Sequence, residues 1–156
     1  MAVALAIAFV PLPDLGSLLG DDETGAADSA AVTTDGQRVY WEDLQPGMCV
    51  REVPDGMEDY IVVDCNAEHA EEVMSRGTLA GSKKWPGDAA LEDRAGEKCK
   101  SAFASYVGLK LGDSRLDFDF LTPDKDSWND GEVTLICLVL DPDHDQITRA
   151  LRGARE

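Results

Sequence analysis

Residues 60–65, YIVVDC, form an apolar run that as extended chain sets Ile61, Val63 and Cys65 on one side and Tyr60, Val62 and Asp64 on the other. Such a run predicts a strand. The chain then turns through residues 66–68, presents His69 and runs on into Glu71, Glu72 and Val73. Upstream, the turn Asp43-Leu44-Gln45-Pro46-Gly47 leads into a short strand, Met48-Cys49-Val50. Pro54-Asp55-Gly56 is a turn signal that lets these two strands pair antiparallel. Residues 115–121 alternate, Leu116, Phe118 and Phe120 against Asp117 and Asp119, until Thr122-Pro123 ends the run. Ser127-Trp128-Asn129-Asp130-Gly131 is expected as a turn, its Asp-Gly pair being a hairpin signature. Residues 133–140, VTLICLVL, are apolar on both faces, as a central strand is. Asp141-Pro142-Asp143 closes that strand, and residues 147–151 form a short terminal element.

One stretch keeps the helical period instead. From Asp88, placed as the N-cap, Leu91, Ala95, Cys99, Ala102, Phe103, Tyr106 and Val107 fall on one stripe, and Gly108 ends it. Between Val73 and this helix a loop is expected, containing Gly77, Gly81 and the small basic-aromatic patch Lys83-Lys84-Trp85, with Trp85 capping the core. The predicted fold class is α+β: a small antiparallel sheet packed by one main helix, about residues 88–107, and stapled by two disulfides.

The first 37 residues carry no such pattern. Residues 1–13 begin with MAVALAIAFVPL, an apolar stub too short to span a bilayer and without a preceding basic residue. It is read as the end of a truncated signal or membrane anchor. Residues 14–37 are rich in Gly, Ala, Ser, Thr and Asp, and every charge in them is acidic, which predicts a flexible spacer. The third segment, residues 38–153, is the folded domain. A stub, a spacer and then a cysteine-bearing domain predict an extracytoplasmic protein, membrane-anchored or secreted, where disulfides persist.

Charge narrows the range of partners. The chain of 156 residues has 31 acids against 14 bases, a net charge of -17. Such a surface repels phosphate backbones and anionic lipid head groups, which argues against nucleic acid. The four cysteines, Cys49, Cys65, Cys99 and Cys137, include no Cys-x-x-Cys pair and by count permit three pairings. Their placement points to two bridges: Cys49 and Cys65 lie on neighbouring strands, and Cys99 on the helix stripe meets Cys137 on the central strand. Zinc held by Cys and His would be an option only in a reducing compartment.

Candidate chemistry gathers at the turn after the first long strand. His69 and Glu72, with a carboxylate such as Asp64, are the residues a hydrolase or metal-dependent enzyme would use, the imidazole as general base oriented by a carboxyl group. Against this stand the missing signatures: no G-x-S-x-G, no H-E-x-x-H and no phosphate-binding loop. The preferred reading is a non-enzymatic interaction module. Its contact surface would lie around His69 and Glu72, with Trp85 and Trp128 as aromatic anchors. No catalytic residue, metal, cofactor or small-molecule substrate is assigned. The run Asp141-Pro142-Asp143-His144-Asp145 lacks the ligand spacing of a calcium loop and is read as solvated.

The ordered residues Gly47-x-Cys49, Val63-x-Cys65-x-x-x-His69-x-x-Glu72-Val73, Trp85-Pro86-Gly87, Cys99-x-x-x-Phe103-x-x-Tyr106-Val107, Pro123, Trp128-x-x-Gly131 and Cys137 form a longer pattern. Together with Thr148-Arg149-Ala150-Leu151-Arg152-Gly153, it resembles the septum formation domain family, mostly actinobacterial cell-envelope proteins, over roughly residues 40–153. The chain departs from that pattern before the histidine, where Glu68 stands in place of the usual proline. The resemblance implies a link to cell division or envelope biogenesis, an extracytoplasmic domain often anchored by one membrane helix, and a partner among envelope or division proteins. It implies no enzymatic mechanism.

Overall fold

A computed structural model describes residues 36–52, 58–79 and 84–156. The apolar stub, the acidic spacer as far as residue 35, the Pro54-Asp55-Gly56 turn and Lys83 lie outside these residues, while Gln37, the spacer's expected last residue, opens the first strand. In chain order the strands and helices are β1 (Gln37–Tyr40), β2 (Cys49–Glu52), β3 (Asp59–Val63), β4 (Glu71–Thr78), α1 (Asp88–Val107), β5 (Asp117–Leu121), α2 (Lys125–Asp130) and β6 (Thr134–Leu140). The six strands form one sheet in the order β1-β3-β2-β4-β6-β5, and every pairing is antiparallel.

The period-two pattern sets the two faces. On one face Leu135, Cys137 and Val139 of β6 meet the α1 stripe, where Leu91, Ala95, Cys99, Phe103, Tyr106 and Val107 are buried. On the other, Val50, Val62, Val73, Ile136 and Leu138 are covered by Trp41 and Leu44 from the short 3-10 turn after β1. Removing apolar side chains from water is worth roughly 1.5–3 kcal/mol for each large residue fully buried, so both faces contribute. The bridges are Cys49–Cys65 and Cys99–Cys137, each with Cα atoms 5.3 Å apart, and no cysteine is free.

Three local expectations are corrected. The loop expected after Val73 is instead β4, which continues to Thr78 and pairs with β6 along its length. Its polar Ser75, Arg76 and Gly77 conceal the strand, and a register shift between Val73 and Ser75 breaks its alternation. The Ser127–Gly131 stretch belongs to α2 rather than to a hairpin turn. Asp124 caps that helix by accepting from Ser127 N–H at 2.8 Å, and Gly131, at φ 104°, provides the left-handed end. At α1 the capping position is Gly87, one residue before Asp88.

The edge strand β5 satisfies part of its own backbone. Asp117 accepts from Phe118 N–H at 2.8 Å and Asp119 from Phe120 N–H at 2.7 Å. After β6 the chain returns beneath α1 and buries Ile147 and Leu151 in the helix-side core. His69 and Ile147 exchange two backbone hydrogen bonds, of 3.0 and 2.8 Å. Gly153 N–H donates to Tyr106 O at 2.8 Å. This C-terminal segment, together with the turn before β4, frames the candidate site. No described helix is long and apolar enough to cross a membrane.

Candidate functional site

The turn before β4 is fixed from both sides. The Cys49–Cys65 bridge ties its start to β2, and Asp64 accepts from the backbone N–H of Asn66 at 2.7 Å, which tightens it and lowers the Asp64 pKa. The His69 ring is fully buried. Its Nδ1 lies 2.9 Å from Ala67 O, an acceptor, so Nδ1 donates that bond, while Nε2 is buried with no hydrogen-bond partner among the described residues. A general base must reach the proton it removes, and this ring presents no surface from which to do so.

Glu72, 2 % exposed, sits on the helix side of β4. One of its oxygens accepts from the Tyr106 hydroxyl at 2.6 Å, and the other accepts from Leu151 N–H at 2.6 Å. Burial of the phenol and its bond to Glu72 push the Tyr106 pKa well up. The guanidinium of Arg152 lies 4.7 Å above the Tyr106 ring, a cation–π contact. Glu72 thus joins β4, α1 and the C-terminal segment, and it is not the orienting partner of His69. Cys49, Cys65 and Glu72 bring two sulfurs and a carboxylate oxygen within 4.8 Å of one another, a grouping a metal could use. With the sulfurs bonded to each other, neither is a thiolate and the group is structural.

A second carboxylate is buried where β6 ends. Asp141 accepts from Arg115 at 2.8 Å, Arg149 at 3.2 Å and the backbone N–H of Asp143 at 3.2 Å, and His144 Nδ1 lies 3.1 Å away. Burial pushes its pKa up, but the hydrogen bonds from His144, Arg115 and Arg149 outweigh that and hold it at about 2. Arg115 and Arg149 also reach Glu156, at 2.9 and 2.6 Å. The Asp141–Asp145 run, read as solvated, contains this buried anchor; its other members are exposed.

Between this loop and the β2–β3–β4 side of the sheet lies a cleft of about 620 Å³. Ile61, Ala70 and Leu140 provide its apolar lining. Arg51, Glu71, His144, Asp145 and Gln146 provide polar groups. Arg51 is half-buried, and its Nε is fully buried with no hydrogen-bond partner among the described residues. An unmet buried donor costs about 1–3 kcal/mol.

Residues 46–155 match a family model described as septum formation. The chain belongs to the septum formation family. No curated protein and no solved structure matches it. The match takes in β2 through the C-terminal segment, and so all four cysteines, both buried carboxylates and the cleft.

In this septum-formation domain the nominated contact residues do not form one patch. His69, Glu72 and Trp128 are buried. Trp128 packs edge-to-face on Trp85, ring centroids 5.8 Å apart, and Trp85 is the partly exposed member of the pair. The segment between His69 and Glu72 does reach the surface: Ala70 and Glu71 line the cleft. Arg51 and Asp141 were missed as site residues. For Arg51 a signal was available, because it lies two positions after the bridged Cys49 in a strand and therefore shares its face. For Asp141 there was none, since Arg115 and Arg149 come from elements whose meeting no local pattern encodes.

Proposed function

We propose that this domain is a non-enzymatic, extracytoplasmic interaction module that binds a protein of the division or envelope machinery, tethered through the apolar segment at residues 1–13. Membership of the septum formation family indicates a role related to cell division. The observation that carries the module reading is the use made of the reactive groups: the four cysteines are bridged, His69 has no accessible surface, and both oxygens of Glu72 are occupied inside the fold. Two bridges also fit the oxidising side of a membrane. The resulting scaffold is rigid, with exposed loops to present, the usual basis of recognition.

The test uses photo-crosslinking residues placed at Glu71 and at Gln146, on the cleft, and at Asp93, on α1, in intact cells. The reading predicts a discrete adduct from the cleft positions, identified by mass spectrometry as an envelope or division protein, and none from Asp93. Stoichiometric metal in the purified protein, or free thiols under non-reducing peptide mapping, would overturn it.

A further inference from the structure

Arg51 differs from four other described arginines, which are ion-paired or hydrogen-bonded to the fold. Arg115 and Arg149 pair with Asp141 and Glu156, Arg38 pairs with Asp59, and Arg76 donates to Glu42 O. Among the described residues Arg51 has no such pairing, although it is half-buried and its Nε is fully buried without a hydrogen-bond partner. A guanidinium drawn out of water without a counter-charge is unfavourable unless something supplies one. It faces a cleft large enough for a small ligand.

We infer that this cleft binds the carboxylate terminus of a short peptide, with Arg51 as the counter-charge. This rests on the interaction-module reading and names the ligand class for it. Arginine is suited to the task because its planar donors match the two oxygens of a carboxylate. The rest of the lining selects among anions. Asp145 adds negative charge to the same cleft, which repels polyanions and complements an ammonium carried on the ligand. Asp141 is already neutralised by Arg115 and Arg149 and does not compete for Arg51. The Gln146 side chain supplies amide donors and an acceptor for a peptide backbone, and Ile61 and Leu140 supply apolar contact for a small side chain. The cleft is thus a site for a ligand carrying both charges.

The full chain, labelled with nitrogen-15, is titrated with tri-alanine, tri-alanine amide, N-acetyl-tri-alanine and inorganic phosphate. The expected result is saturable shifts at the amides of Arg51, Ala70 and Gln146 with tri-alanine. Amidation of the C-terminus should weaken binding by about tenfold or more, and acetylation of the N-terminus by a smaller factor. Arg51→Gln should melt no lower than the parent, because it removes a buried donor that has no described partner, and should lose binding by about tenfold. Arg51→Lys, which keeps the charge without the planar fork, should fall between. Tri-alanine and its amide binding equally, phosphate binding as tightly as the peptide, Arg51→Gln binding normally, or an absence of shifts at these amides would each overturn the inference. Failure here with cleft crosslinks intact in cells would discard the carboxylate ligand and keep the module; loss of both would discard the module as well.

Discussion

The C-terminal segment is fastened at two places by buried carboxylates, and the two are built differently. Glu72, in the middle of the sheet, accepts from neutral donors, the Tyr106 hydroxyl and the Leu151 amide. Asp141, at the end of β6, accepts from Arg115 and Arg149, whose side chains are 37 and 41 % exposed. The donors to Glu72 lie in the core, where an unmet bond cannot be replaced by water. Those at Asp141 stand in reach of solvent and salt, which screen them. The neutral anchor should therefore fix position at high cost if broken, and the charged anchor should respond to conditions.

The largest expected effect comes from breaking the neutral anchor. Glu72→Ala leaves the Tyr106 hydroxyl and the Leu151 amide unpaired and should cost about 3–5 kcal/mol in denaturant unfolding, whereas Glu72→Gln, which keeps an acceptor, should cost about 1–2 kcal/mol. If Asp141→Ala proves costlier than Glu72→Ala, the ranking of the two anchors is wrong. The bridges come next. Replacing Cys99 and Cys137 together by alanine should cost about 4 kcal/mol, and replacing Cys49 and Cys65 about 3 kcal/mol, since the former closes 38 residues and the latter 16. Equal losses from the two would remove loop length as the cause.

A smaller effect separates the anchors by pH. The folded pKa of Asp141 is about 2 against an ordinary 3.8, so its contribution is complete above pH 4 and is lost as pH falls towards 2. After allowance for half-exposed arginines, this amounts to about 1–2 kcal/mol. Unfolding curves between pH 5 and 2 should show the loss in the parent and a smaller one in Asp141→Asn. The smallest effect is expected from removing residues 1–35, whose composition offers little apolar surface beyond the stub; it should move Tm by no more than about two degrees.

Much of the architecture was legible because it rests on short-range periodicity. The α1 stripe placed Cys99 and Tyr106 on the inner face, and the doubly apolar run at residues 133–140 identified β6, so their bridge could be anticipated. β4 was not legible: its burial comes from pairing with β6, while Glu71, Ser75 and Arg76 carry the signal of a loop. The Asp130-Gly131 pair was ambiguous because a glycine with positive φ serves a helix end as well as a hairpin. The candidate site was the hardest part. Glu72 reads as surface until Tyr106 and Leu151, 34 and 79 residues away, supply its donors.

The self-satisfied edge of β5 limits how these domains can assemble. A free sheet edge ordinarily templates the addition of a foreign strand. Here an incoming strand would meet two N–H groups already taken by Asp117 and Asp119, and the side chains taking them are negatively charged. Copies crowded together, each with a net charge of -17, are therefore discouraged from extending one another's sheets at β5. The domain can be held at high local density without polymerising through that border.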